Sequence, residues 1–117
     1  METKLHPQLS IRLYRDEKCF GPGIAELLER VEEHRSLRAA ARSMDMAYSK
    51  AWTVVRRCEA ALGRQLLVYA TGGRHGGGAS LTDDARQLLT AYRAFCSDVR
   101  READALFARR FAEFLQD

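Results

Sequence analysis

Cysteine is scarce in this chain and wrongly spaced for a metal site. Cys19, Cys58 and Cys96 are odd in number and far apart, and no CxxC pair occurs in the 117 residues. A zinc ribbon is excluded, and buried free thiols in a reducing cytoplasm are the expectation. No apolar run approaches the roughly 20 residues that a membrane-spanning helix needs. Residues 1–7 also lack the apolar core of a signal peptide. The chain is therefore expected to be cytoplasmic, with no membrane partner. His6, His34 and His75 stand apart from one another and from any cysteine at ligand spacing, so no metal is expected. A GxxxxGK[ST] phosphate loop is missing, and so is any nucleophile–base set. Asp83-Asp84 and Glu32-Glu33 are accounted for by helix dipoles and solvent. Neither an enzyme nor a cofactor is expected. There is no internal repeat, and the length suits one domain with a real core.

What is present is charge, unevenly placed. Nineteen Lys+Arg against 16 Asp+Glu give a net charge of +3 and a pI near 9.0, which is only mildly basic. The arrangement says more than the sum. Arg35, Arg38, Arg42, Lys50, Arg56, Arg57, Arg64 and Arg74 crowd the middle, while the acids gather early and late. A basic middle with acidic flanks suits a surface that faces nucleic acid.

The densest signal runs over residues 36–62, which read as two helices joined by a tight turn. The first opens on Ser36 as a cap and carries Ala39, Ala40 and Ala41, small enough to let a second helix cross closely. The second begins near Ala47 or Tyr48 and stops at Gly63, a residue suited to the left-handed end of a helix. Ala51, Val55, Cys58 and Leu62 recur on one inward stripe. Ser49, Lys50, Thr53, Arg56 and Arg57 fall on the other side, which has the chemistry to touch base edges and phosphates in a major groove. A solvated, charged helix face is the plain alternative.

Around this hairpin of helices the chain reads as follows. Residues 9–15 alternate apolar and polar as a half-buried strand does, and residues 16–18 turn. Gly21-Pro22-Gly23 precedes a helix whose Ile24, Leu27, Leu28 and Val31 face inward. Residues 66–69 form a short strand, and Ala79-Ser80-Leu81 return as its partner. Between them five glycines among residues 72–78 make a long flexible tip carrying Arg74 and His75, so the hairpin reads as a wing. Thr82-Asp83-Asp84 cap a last helix that no proline or glycine interrupts. Unbroken, it would run about 33 residues and roughly 50 Å. Its apolar positions include Leu88, Tyr92, Phe95, Val99, Leu106, Phe107, Phe111 and Phe114. A domain of this size cannot cover them all, so a second copy of the helix is the expected partner.

At this point a family resemblance becomes specific. Met46-Ala47-Tyr48-Ser49-Lys50-Ala51-Trp52, followed by the Thr71-Gly72-Gly73 to Leu81-Thr82 wing, resembles the N-terminal winged-helix domain of ModE-type molybdate-responsive transcription regulators. Phe20-Gly21-Pro22-Gly23 is similar as well, so the likeness covers about residues 9–97. Glu59-Ala60-Ala61-Leu62-Gly63 more distantly resembles the LysR-type DNA-binding domain. The resemblance implies a dimer with the helix of residues 47–62 in the major groove and the wing of residues 71–79 on flanking DNA. By position Tyr48, Ser49, Lys50 and Thr53 fall where such helices read bases, and Arg56, Arg57 and Arg74 fall where phosphates would lie. Trp52, beside the inner stripe, is expected in the core. Asp45 stands in the turn where these proteins usually have glycine. The C-terminal molybdate-binding domains of the full-length regulators have no counterpart here, so molybdate is not implied as a ligand and no small-molecule effector is evident.

The expectation is thus a mainly α fold with a small β-sheet: a winged helix-turn-helix over residues 1–82 and a long dimerisation helix over 83–117. The partners are double-stranded DNA and a second copy of the chain. DNA contacts are expected from Tyr48, Ser49, Lys50, Thr53, Arg56, Arg57, Thr71, Arg74 and His75. The alternative function is a homodimeric module that docks a protein through its last helix and does not bind DNA.

Overall fold

The computed structural model describes residues 4–70 and 78–115. The chain enters through an antiparallel hairpin of β1 (Leu13–Arg15) and β2 (Glu17–Phe20), with Arg15 opposite Glu17. Asp16 alone makes the turn at φ 65°, a left-handed geometry that Asp tolerates better than most residues. This corrects the sequence expectation twice. The strand expected over residues 9–15 is confined to Leu13–Arg15, because the Ile11 carbonyl accepts a 2.6 Å hydrogen bond from the Tyr92 hydroxyl instead of joining a ladder. Residues 17 and 18, expected to turn, open a second strand. Its Cys19 and Phe20 are both buried, so β2 lacks the alternation by which strands are recognised.

Three helices follow. Proline sits in the first turn of α1 (Pro22–His34), where its missing N–H costs nothing. Ile24, Leu27, Leu28 and Val31 are buried as their spacing predicts, and Arg35 ends the helix at φ 58°. In α2 (Leu37–Ser43) the Ser36 hydroxyl accepts the Ala39 N–H at 3.0 Å, the expected cap. Ala40 and Ala41 are fully buried where α3 (Tyr48–Leu62) crosses. The turn between them carries Asp45 at φ 54°, and the Met46 N–H closes it onto the Ala41 carbonyl at 2.9 Å. On α3 Ala51, Val55 and Cys58 face inward, Leu62 is only half-buried, and Gly63 stops the helix at φ 66°.

A second hairpin, β3 (Leu67–Tyr69) and β4 (Ala79–Leu81), forms the wing strands, with Leu67 opposite Leu81 and Tyr69 opposite Ala79. Its expected glycine tip, residues 71–77, lies outside the described residues. The Ala79 N–H donates to the Arg35 carbonyl at 2.9 Å, which stitches the wing to the end of α1. A Cβ on Gly78 would lie 3.1 Å from that same oxygen, so this approach favours glycine.

The last helix, α4 (Asp83–Arg110), starts on Thr82, whose hydroxyl oxygen accepts the Ala85 N–H at 3.0 Å. Its first turns complete the core through Ala85, Leu89 and Tyr92, and the Tyr92 ring meets Phe20 edge-on at 5.0 Å. Arg86 to Glu32 (2.9 Å) and Arg93 to Glu29 (2.6 Å) clasp α4 to α1. These pairs are exposed, so they set orientation more than they add stability. The helix passes Arg100 and Arg101 without a break. It is 28 residues long rather than the expected 33 or so, about 42 Å at the standard rise. Phe111 ends it, and a single 3-10 turn, Ala112–Phe114, holds Phe114 within 6.1 Å of Phe111.

Two measurements check this core. Tyr92→Phe deletes the hydroxyl that binds the Ile11 carbonyl, and should lower the unfolding free energy by about 1 kcal/mol in urea titration. Burial, aided by nearby Cys19 and Glu59, pushes the Cys58 thiol from 9.0 up to about 12. The fold therefore holds the neutral thiol, while the unfolded chain ionises near pH 9.0. The resulting stability is complete below pH 9 and is lost as pH rises toward about 12. Melting curves of wild type and Cys58→Ala should run parallel below pH 9 and converge above it.

Candidate nucleic-acid interface

Because α3 buries Ala51, Val55 and Cys58, it must turn the opposite side outward. Ser49, Lys50, Arg56 and Arg57 are exposed there and Thr53 is half-buried. No carboxylate pairs with Lys50 or Arg57 among the described residues. Tyr48 is half-buried, with the Arg38 guanidinium 4.2 Å above its ring. Trp52, expected in the core, is instead 44% exposed on this outer side, with Arg56 lying 5.4 Å from its ring centre. The inward stripe of α3 is Ala51, Val55 and Cys58, and Trp52 lies about 100° round the helix from Ala51. Trp52 therefore joins the surface that the other α3 residues present.

Two further features extend this face. Arg38 and Arg42, one helical turn apart on α2, border a shallow depression of about 370 Å³ with Asp45, Met46, Ala47 and Tyr48. Ala47 offers the start of α3 no side-chain acceptor, so the first N–H groups of that helix stay open at its positive end. The sequence counted Arg38 and Arg42 only among the crowded cations; their i, i+4 spacing was the available signal. Glu59 was missed more completely. Its side chain is 11% exposed, and one carboxylate oxygen accepts the N–H groups of Leu66 (2.8 Å) and Leu67 (3.3 Å). The other lies 3.6 Å from Arg56. One residue thus joins α3 to the first wing strand and aims a cation. Tyr69 belongs to the same group: burial raises its phenol pKa, Glu59 and Tyr48 add to the rise, and Arg56 opposes it. Thr71, Arg74 and His75 lie outside the described residues.

The residues expected at a dimer contact are not all available. Tyr92 is 3% exposed and is committed to Phe20 and Ile11 of its own chain, which corrects that assignment. Leu88 and Val99 are half-buried, while Phe95 and Leu106 are exposed. Phe107 stacks on Phe111 at 4.7 Å, so the distal aromatics partly cover one another, and Phe111 and Phe114 keep open faces. Among the described residues no cluster of His, Cys, Asp and Glu could hold a metal, and no helix is long and apolar enough to cross a membrane.

Glu59 gives the sharpest test of how this face is built. Glu59→Ala leaves two N–H groups without their acceptor and should cost about 1–3 kcal/mol of stability in chemical denaturation. An unchanged unfolding midpoint would remove Glu59 from its bridging role.

The profile of the bacterial regulatory helix-turn-helix proteins of the lysR family matches residues 25–86, which is more than half of the chain. The chain is 34% identical over 83 residues to the molybdenum transport protein ModE of Azotobacter vinelandii, covering 71% of this chain and 31% of that protein. It is 34% identical over 71 residues to the transcriptional regulator ModE of Haemophilus influenzae, covering 61% and 28%. Against the molybdenum-pterin-binding protein MopB of Rhodobacter capsulatus it is 35% identical over 75 residues, covering 64% and 28%. The chain thus spans less than a third of the length of the curated relatives it matches. With its helix-turn-helix fold and the matched residues in agreement, the chain belongs to the bacterial regulatory helix-turn-helix family of the lysR type and carries a ModE-like DNA-binding domain.

Proposed function

We propose that the chain is a sequence-specific transcriptional regulator that binds double-stranded DNA as a homodimer and catalyses no reaction. The observation that carries this reading is a helix-turn-helix whose second helix exposes Lys50 and Arg57 without a carboxylate partner among the described residues. In this reading α3 enters the major groove. Ser49, Lys50 and Thr53 reach base edges, with Tyr48 at the groove entrance, and Arg56 and Arg57 hold phosphates. The wing, with Thr71, Arg74 and His75, reaches the flanking DNA. Residues 1–82 form the DNA-reading unit.

Residues 83–117 supply the dimer contact while their first turns complete the core. Leu88, Phe95, Val99 and Leu106 recur at steps of seven, four and seven along α4, which suits a two-helix seam. Phe107, Phe111 and Phe114 extend that contact. The exposure of Phe95, Leu106 and Phe114 also favours a second reading, in which α4 docks a different protein and DNA plays no part. The molybdenum in the relatives' names is not carried over, and no oxyanion ligand is proposed.

Substitutions separate the two. Arg57→Ala should weaken binding to every duplex and reduce the slope of log affinity against log salt by about 1. Lys50→Ala should cost about 1–3 kcal/mol on a selected operator and relax its sequence preference. Leu106→Glu should turn the dimer into monomers in sedimentation and weaken DNA binding with it. If Arg57→Ala leaves the salt slope unchanged, its phosphate contact is removed. If Lys50→Ala and Arg57→Ala both leave cellular function intact while Leu106→Glu abolishes it, the docking reading replaces the regulator reading.

A further inference from the structure

One cleft borders the outer face of α3. It lies between the β2–α1 junction and the side of α3, encloses about 380 Å³, and has no acidic residue among its lining. Its accessible apolar lining comes from Pro22, Met46 and Val54, with the buried Cys19, Phe20 and Ile24 beneath. Four cations border it: Arg12 and Lys18 from the entry hairpin, and Lys50 and Arg57 from α3. None of the four pairs with a carboxylate among the described residues. A bare inorganic anion would leave the apolar lining unsatisfied, and a neutral apolar molecule would leave the cations so. A compact apolar or aromatic body bearing a carboxylate or sulfonate satisfies both.

We propose that this cleft is an effector site for a small amphipathic anion, and that its occupant competes with DNA. The competition rests on the DNA reading above, because Lys50 and Arg57 are shared between the cleft and the proposed groove contacts. A ligand that neutralises both withdraws one base contact and one phosphate contact together. The regulator would thereby respond to a metabolite within its DNA-reading unit. Binding to the cleft itself does not depend on the DNA reading.

Gly23 offers a clean means of testing this. It lines the cleft, its φ is not positive, and a Cβ built there meets nothing within 4 Å, so a larger side chain can enter the space. The probe is 1-anilinonaphthalene-8-sulfonate, followed by fluorescence on the full chain. Saturation at one site per chain is expected, weakened at least tenfold by Gly23→Phe and about threefold or more by Lys18→Ala. Leu115→Ala, exposed just beyond the last helix and outside the proposed contacts, should bind as wild type. Benzenesulfonate should displace the probe, and sulfate at equal ionic strength should not. The probe should also release a labelled random duplex from wild type but not from Gly23→Phe.

Several outcomes overturn the proposal. Wild-type probe affinity in both Gly23→Phe and Lys18→Ala would remove the cleft as the site, and loss of binding in Leu115→Ala would move the site to the C-terminal end. Displacement by sulfate as effective as by benzenesulfonate would reduce the cleft to a simple anion site. Should Gly23→Phe lose its helical circular dichroism, Lys18→Ala alone decides. A chain that binds the probe in the cleft but binds no duplex would retain the site and sink the regulator reading instead.

Discussion

The close crossing of α2 and α3 is the constraint on which the rest of the structure depends. Ala40, Ala41 and Ala51 are buried at that contact, and methyl side chains let the two helix backbones approach more nearly than branched ones could. Once that approach is set, the tight turn at Asp45 follows, and so does the rotation of α3 about its own axis. Trp52, one position beyond the buried Ala51, lies outside beside Arg56. A larger residue at position 40, 41 or 51 would push α3 outward and displace every cation on its outer face at once. The outer face of α3 is therefore positioned in part by small residues buried within the common core.

Three side-chain or backbone links carry that rigidity outward. Glu59 ties α3 to the wing through two N–H groups, and the Arg35 carbonyl ties the wing back to α1. The Tyr92 hydroxyl ties the N-terminal segment to α4 across 81 residues of sequence. Each satisfies backbone groups that would otherwise sit unpaired near the core, where an unmade hydrogen bond is costly. These links join α3, the wing strands and the base of α4, so in the proposed dimer a contact on α4 would fix the spacing between two copies of α3.

Much of this was legible in one dimension. Helical periodicity gave α1 and α3 their inner faces, Ser36 and Thr82 gave their helices' starts, and Gly63 gave a stop. Periodicity fixes a face only to within one neighbouring position. For that reason Trp52, next to the stripe, was assigned inward, and Tyr92, on the apolar side of α4, was assigned to a partner when its own chain buries it. The strand β2 was hidden because its charged first half looks like a turn and its second half is buried on two successive residues. Glu59 was illegible for a different reason: a carboxylate accepting backbone N–H groups seven and eight residues on has no local pattern to announce it. The cleft beside α3 was equally invisible, since its four cations come from two separate segments of the chain.

Binding of the unmodified chain to a labelled random duplex across a salt series tests most directly whether the basic outer surface of this helix-turn-helix meets DNA. Fluorescence anisotropy should show a dimer whose log affinity falls linearly with log salt, at about −0.9 for each phosphate contacted and several phosphates in all. A well-folded dimer with no measurable affinity for duplex DNA even at low salt would contradict the account. The exposed face of α4 would then be the place to look for the chain's partner.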